Sequence, residues 1–170
     1  MSTETRTLIL NSRQVNQRLN RLAWQVYEQC SDEKEIVVAG IAANGFRLAG
    51  KIAAILRSIS PLQVQLAEMK INKDQPLEAP SVSGIDEKKL EGKAIVLIDD
   101  VSNSGRTLMY GVRYFLAFPV KSIHTLVLVD RDHNRFPVKT NFVGLSLATT
   151  MMEHISVEQN EKGEDVVYLD

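Results

Sequence analysis

The sequence predicts an α/β fold, a mainly parallel sheet flanked by helices with a small β appendage, and three observations carry that expectation. Residues 36–41 (Ile-Val-Val-Ala-Gly-Ile) and 94–98 (Ala-Ile-Val-Leu-Ile) are continuously apolar and rich in β-branched side chains, as parallel strands covered on both faces require. Stretches of helical apolar spacing separate such runs, and strands alternating with helices build parallel sheets through right-handed crossovers. The tail departs from this alternation. Residues 142–144, 155–157 and 166–169 are short strand candidates with no helix between them.

Taken in order, residues 7–10 (Thr-Leu-Ile-Leu) are a short apolar run suited to an edge strand. Asn11 and Ser12 then offer N-cap oxygens, and Gln14 stands where a capping box on Asn11 needs it. Val15, Leu19, Leu22, Val26 and Cys30 recur at spacings of three and four, which sets one apolar stripe on a helix over about 13–30. Trp24 falls off the centre of that stripe, at an edge or an interface. After the strand at 36–41, Ala42-Ala43-Asn44-Gly45 breaks the pattern. A second helix follows with Phe46, Ala49, Ile52, Ala53 and Leu56 on one side, and Pro61 closes it. Residues 62–69 alternate well enough for another strand.

The stretch 70–93 holds Pro76, Pro80, Gly84 and Gly92 among many charges and little periodic apolar signal. A connection of that length inside a compact domain is usually functional or disordered. The charge run 86–91 reads as a solvated loop or a short exposed helix. Residues 107–118 read as a helix, residues 122–129 as a strand, and residues 160–163 as the hairpin turn joining the last two strands.

Composition sets the outer bounds. One hundred and seventy residues suit a single domain with one sizeable core. Twenty Lys+Arg against 21 Asp+Glu leave a formal charge of -1, which argues against a general electrostatic grip on nucleic acid or an anionic membrane. No apolar run reaches the roughly 20 residues that span a bilayer, and Met1 to Thr7 lacks a signal-peptide stretch. The single cysteine, Cys30, cannot form an internal disulfide and suits core packing. A cytoplasmic location is the expectation.

One segment carries chemistry. The strand around 96–98 ends in Asp99 and Asp100, and the chain turns through Val101, Ser102, Asn103, Ser104, Gly105 and Arg106 to Thr107 at the start of a helix. Open α/β sheets bind ligands at the carboxyl ends of their strands. A glycine-containing turn entering a helix presents backbone N–H groups to a phosphate, and Ser102, Ser104 and Thr107 add hydroxyl donors. The two carboxylates would repel that phosphate. They instead suit a sugar diol, or action through a divalent cation such as magnesium. The residues thus point to a phosphorylated-sugar site.

This pattern of apolar strand, Asp-Asp, short turn with Gly and then Thr resembles the PRPP-binding motif of the type I phosphoribosyltransferases. The resemblance implies that Ser102 to Thr107 hold the 5′-phosphate of phosphoribosyl pyrophosphate (PRPP). It also implies that Asp99 and Asp100 approach the ribose 2′- and 3′-hydroxyls. Ser104 replaces the more usual Thr and keeps the hydroxyl. Residues 127–138 (Val-Leu-Val-Asp-Arg-Asp-His-Asn-Arg-Phe-Pro-Val), followed by Phe142-Val143-Gly144, are similar to a segment of the PyrR family. Its members are pyrimidine-operon attenuators that are also uracil phosphoribosyltransferases. The order of the remaining elements matches over nearly the whole chain. The resemblance implies a single domain over 1–170 with a long mobile loop at about 70–93 and a C-terminal β hood at about 138–170. Asp130, Arg131 and His133 would lie near the nucleobase pocket, and magnesium would accompany PRPP near Asp99 and Asp100. Lys70 or Lys73 would bring positive charge to pyrophosphate as the loop closes, and the protein would form a homodimer or a higher oligomer.

Some positions depart from the PyrR pattern. The pyrophosphate turn, Ala42-Ala43-Asn44-Gly45, carries Ala42 and Asn44 where those relatives carry Lys and Arg. Asp132 replaces the Gly before the histidine, and residues 145–150 (Leu-Ser-Leu-Ala-Thr-Thr) lack the family's lysine. The expected function is transfer of the phosphoribosyl group of PRPP to a nucleobase, uracil first, giving UMP and pyrophosphate. The alternatives are a nucleotide-sensing RNA-binding regulator of pyrimidine genes, or a PRPP-binding protein with another base or no turnover. An RNA face, not favoured by the balanced charge and scarce aromatics, would gather Arg13, Arg18, Arg21, Arg131, Arg135 and Lys139.

Other motifs are set aside. Residues 40–46 mimic a Walker A spacing, but Phe46 stands where lysine is required, and no Gly-x-Gly-x-x-Gly occurs. His124, His133 and His154 show no paired ligand spacing. His124 suits a strand end and His154 a surface loop, with Met151 and Met152 packing the appendage.

Overall fold

The structure, a computed structural model, describes residues 5–170, so Met1 to Glu4 of the polar start lie outside the described residues. Strand β1 (Thr7–Leu10) leads into helix α1 (Ser12–Gln29), followed by β2 (Glu35–Ile41), α2 (Asn44–Ile59), β3 (Gln63–Lys70) and β4 (Ser81–Ser83). A short 3-10 turn at Glu87–Lys89 precedes β5 (Ala94–Ser102), α3 (Arg106–Leu116), β6 (Ser122–Asp130) and β7 (Phe142–Ser146). The chain ends in the hairpin β8 (Ile155–Gln159) and β9 (Asp165–Leu169). Among the described residues no helix is long and apolar enough to cross a membrane.

Six strands form the main sheet in the order β4-β3-β2-β5-β6-β7. Every neighbouring pair from β3 to β7 is parallel, and β4 adds an antiparallel edge. Alternation within the apolar runs explains their composition. Ile36, Val38, Val96 and Ile98 belong to one core, shared with α1 and α2. Val37, Ala39, Ile95 and Leu97 belong to the other, shared with α3. Both faces of the central strands are therefore dry, and each fully buried side chain of this size contributes about 1.5–3 kcal/mol of transfer free energy.

The N-terminal helix follows its sequence signals. Asn11 accepts from the Gln14 backbone while the Gln14 side chain accepts from the Asn11 N–H, both at 2.9 Å, so the capping box forms. Val15, Leu19, Leu22 and Val26 are buried against the sheet, and Trp24 remains about half exposed beside Tyr27. Cys30 is buried, and burial pushes its thiol up to about 11.

Three sequence expectations change. Residues 142–144 were grouped with the tail strands, but β7 pairs in parallel with β6 in the main sheet. The small sheet consists of β8 and β9 with β1 from the other end of the chain, in the order β1-β9-β8. A short strand read alone carries no sign of which sheet it will join. The connection 70–93 contributes β4, paired with β3 through Ser81, Val82 and Ser83. The charge run 86–91 is the short exposed helix that its sequence suggested, at Glu87–Lys89, with Leu90 beside it buried against the α3 side of the sheet.

Candidate active site

The carboxyl ends of the parallel strands open into a cleft of about 460 Å³ between the loop after β5, the segment around Ile71 to Pro76, and the edge of the small sheet. Strand β5 runs past its apolar stretch to Ser102, because Asp99 and Val101 still pair with Val127 and Val129 of β6. Asp99 and Asp100 therefore sit on a rigid strand rather than on a loop. Both line the cleft, as do Val101, Ser102, Asn103, Ser104, Gly105, Arg106 and Thr107.

Gly105 is the left-handed N-cap of α3, with φ +83°. A Cβ there would lie 2.6 Å from the Val138 side chain, so the turn needs glycine on two counts. Among the described residues no side chain caps this helix, and backbone donors of its first turn beyond Arg106 stay open to a ligand. Within the turn, the Arg106 N–H donates to Ser104 Oγ at 3.3 Å. The turn is fixed from behind: the Ser104 carbonyl accepts from Arg135 and Phe136, at 2.9 and 3.1 Å. Ser102 Oγ is buried without a hydrogen-bond partner. Open N–H groups, a free buried hydroxyl and a helix N-terminus make an anion site.

The acid pair is electrostatically tense. Burial, then the neighbouring Asp100 charge, hold the Asp99 carboxyl well above the usual carboxylate range, while Lys73 across the cleft opposes that shift. The Asp99 side chain accepts from the Asp100 N–H at 2.9 Å, and Asp100 accepts from the Val101 N–H at 2.8 Å. Among the described residues, no three His, Cys, Asp or Glu side chains cluster to cage an ion. Two adjacent carboxylates beside an anion site fit magnesium, which keeps waters and takes one or two carboxylates together with substrate oxygens.

The turn at Ala42-Ala43-Asn44-Gly45 brings α2 against this acid pair. The Ala42 N–H donates to the Met69 carbonyl at 2.8 Å. A Cβ on Gly45 would meet the Ile98 carbonyl at 2.8 Å and the Asp99 Cα at 3.0 Å, so only glycine permits that approach. Asn44 lines the cleft and donates to Asp100 at 2.9 Å.

The other expected residues divide. Lys73 lines the cleft, whereas Lys70, at the end of β3, does not, and stands 4.0 Å from Glu68. Asp130, Arg131 and His133 are absent from the lining. Asp130 accepts from the Asp132 N–H at 2.9 Å and from the Thr140 hydroxyl at 2.7 Å. Arg131 donates to Asn103 of the anion loop at 2.8 Å, to Thr149 at 2.9 Å, and to the carbonyls of Thr150 and Glu153 at 3.1 and 2.6 Å. It ties the loop after β5 to residues 149–153. His133 bonds the Thr149 carbonyl through Nε2.

Sequence reasoning missed the opposite wall. His154, Ile155, Ser156 and Val157 line the cleft; His154 is the exposed loop residue that its sequence suggested, whereas Met151 and Met152, expected to pack the appendage, are exposed. Tyr110, one turn into α3, also lines it, with the Arg106 guanidinium 5.8 Å from its ring centre. The helical spacing of Tyr110 from Arg106 could have flagged it. Nothing local could have flagged residues 154–157, because their place depends on the small sheet closing over the strand ends.

Fold and site together define a protein built for phosphorylated-sugar chemistry on a type I phosphoribosyltransferase scaffold. The family model described as phosphoribosyl transferase domain matches residues 6–165, and the chain belongs to that family. It is 29% identical to the Bifunctional protein PyrR 2 of Lactiplantibacillus plantarum, over 90% of this chain and 91% of that one. It is 28% identical to the Bifunctional protein PyrR of Clostridium novyi, over 96% and 97% of the two chains. Among solved structures, the hypoxanthine phosphoribosyltransferase of Trypanosoma cruzi superposes with a TM-score of 0.73 at 15% identity, covering 95% of each chain. A hypoxanthine-guanine phosphoribosyltransferase of Bacillus anthracis gives 0.68 at 18% identity, covering 82% and 81%. At those identities the likeness is one of fold.

Proposed function

We propose that the protein transfers the 5-phosphoribosyl group of PRPP to a nucleobase, with uracil the leading acceptor, giving UMP and pyrophosphate. The observation that carries this reading is the joining, in one cleft, of the Asp99-Asp100 strand end with the open anion loop from Ser102 to Thr107. Similarity to PyrR proteins over nearly the full chain supports uracil. The hypoxanthine enzymes share the fold and make purine bases the competing acceptors.

In this reading the loop N–H groups and the Ser102, Ser104 and Thr107 hydroxyls hold the 5′-phosphate. Asp99 and Asp100 accept hydrogen bonds from the ribose hydroxyls. The C1–O bond breaks with its electron pair leaving on pyrophosphate, and a ring nitrogen of the base forms the new C1–N bond as its proton passes to solvent. Positive charge develops on the sugar as the bond breaks, and the nearby carboxylates stabilise it. Asp99 and Asp100 would hold magnesium, which would supply positive charge to the pyrophosphate. Lys73, and Lys70 once the 70–93 segment closes, replace part of the charge that Ala42 and Asn44 do not provide. Closure over the cleft excludes water, which would otherwise hydrolyse PRPP. Arg131 and His133 support the base side by holding residues 149–153 rather than by meeting the base.

The test is pyrophosphate release with magnesium, PRPP and uracil, hypoxanthine or guanine, with Asp99→Asn/Asp100→Asn as control. Release with uracil that the double variant loses is the expected result. Release only with a purine would move the acceptor and keep the chemistry. No release with any base from folded protein would remove the transferase reading. A second reading, a family member that binds PRPP without turnover, rests on the uncharged pyrophosphate turn and would then take its place.

A further inference from the structure

Asn44 sits at the crossing of three parts of the fold. Its side-chain nitrogen donates to the Asp100 carboxylate at 2.9 Å and to the Val157 carbonyl of β8 at 3.0 Å. Its side-chain oxygen accepts from Arg47, one turn further along α2, at 2.8 Å. That third contact fixes which way the amide points: with Arg47 donating to the oxygen, the NH2 group faces the acid. Arg47 in turn donates to Asp165 of β9 at 2.8 Å, and Lys51 pairs with the other oxygen of the same carboxylate. Asp165 is buried, at 2% exposure. A donor-acceptor line thus runs from the small sheet through Asp165, Arg47 and Asn44 to Asp100.

We propose that Asn44 is a positioning residue for Asp100, and that Asp165 sets it through Arg47, so the sugar-facing carboxylate is correctly placed only while the small sheet is docked. The inference rests on the phosphoribosyl reading for the identity of the ligand that Asp100 meets. A lysine or arginine at this position would neutralise Asp100 and reach toward a leaving group. The asparagine amide does neither. It holds the carboxylate by one N–H, gives the other to the Val157 carbonyl of β8, and leaves the acid's charge in place.

Binding distinguishes positioning from general support, because orthophosphate meets only the anion loop, whereas ribose 5-phosphate must also meet the acids. Calorimetric titration of both ligands without metal, on wild type, Asn44→Ala, the near-isosteric Asn44→Asp and the remote Asp165→Asn, provides the comparison. The expected result is a five- to tenfold loss of ribose 5-phosphate affinity in all three variants, with orthophosphate affinity within twofold of wild type. Unchanged ribose 5-phosphate binding in the Asn44 variants, or equal loss of both ligands, would overturn the inference. Failure of wild type to release pyrophosphate, with the selective binding loss intact, removes the transferase reading alone. Wild type that binds neither ligand removes both.

Discussion

At Asp99 a carboxylate follows, within β5, a run of side chains from Ala94 to Ile98 that are all buried. Its carboxyl is raised by burial first and by Asp100 second, and the sign of the consequence follows from linkage. An unfolded aspartate titrates near 3.9. A group raised above that value in the folded state contributes stability that is full below about pH 4 and is lost as pH rises through the folded value. At neutral pH the raised Asp99 carboxyl therefore opposes folding. Asp99→Asn keeps an oxygen to accept from the Asp100 N–H but cannot ionise. In buffer free of divalent metal, the variant should melt higher than wild type at pH 7, by roughly 2–4 °C per kcal/mol relieved, and the gap should close toward pH 4. Scanning calorimetry across that range checks it, and an equal or lower Tm at pH 7 would refute the account. The Asp-Asp-turn-Gly spacing was legible in the sequence because a local loop makes that site. The strain at Asp99 was not, because it depends on Gly45 of α2 packing so close that a Cβ there would lie 3.2 Å from a carboxylate oxygen, an approach across 54 positions of chain.

The small sheet shows what one element owes to distant sequence. Its first strand comes from the N-terminus, and Thr7, Leu8 and Leu10 pair with β9. Arg6, just before that strand, bonds Asp170 at 2.7 Å, reaches Ser156 and Glu158, and covers the Tyr168 ring at 3.9 Å. One side chain therefore staples the N-terminus to both strands of the C-terminal hairpin. Those contacts are exposed, so their loss should cost little global stability while loosening the sheet locally. Arg6→Ala should leave the main melting transition nearly unmoved and speed amide exchange at residues 155–169 several-fold, as mass spectrometry would read. A large fall in Tm without a local exchange change would contradict this. The hairpin itself was legible, down to its Asn160–Gly163 turn, where the Gly163 N–H donates to the Asn160 carbonyl at 2.9 Å. The third strand was visible only as an apolar edge strand without an address, and β7 was misgrouped because period-two patterning says that a strand exists, not which sheet receives it.

For the molecule as a whole, the alternation of apolar strands and helices was enough to give the α/β class, since parallel strands with two dry faces leave few other architectures. The cleft was half legible. Its floor is one continuous segment, but its roof comes from residues 154–157, whose place depends on the closed small sheet. The same global view bears on nucleic acid. Twenty basic residues against 21 acidic ones provide no net positive field, and two of the arginines that an RNA face would use are occupied. Arg21 donates to the carbonyls of Val143 and Gly144, at 3.3 and 2.6 Å, and Arg131 is bound at four acceptors across the loop after β5 and residues 149–153. Sequence-independent binding depends on free cations that release counterions from phosphates, and ordinary nonspecific binders reach Kd values of about 10⁻⁴ to 10⁻⁶ M at physiological salt. This chain should fall at the weak end, at about 10⁻⁴ M or above, for a random 30-nucleotide RNA followed by fluorescence anisotropy. Its affinity should also change little when salt is lowered to about 50 mM, because few phosphates would be neutralised. Micromolar binding with a steep salt slope would show a basic face that the balanced charge conceals, and would raise the RNA-binding regulator reading against the transferase.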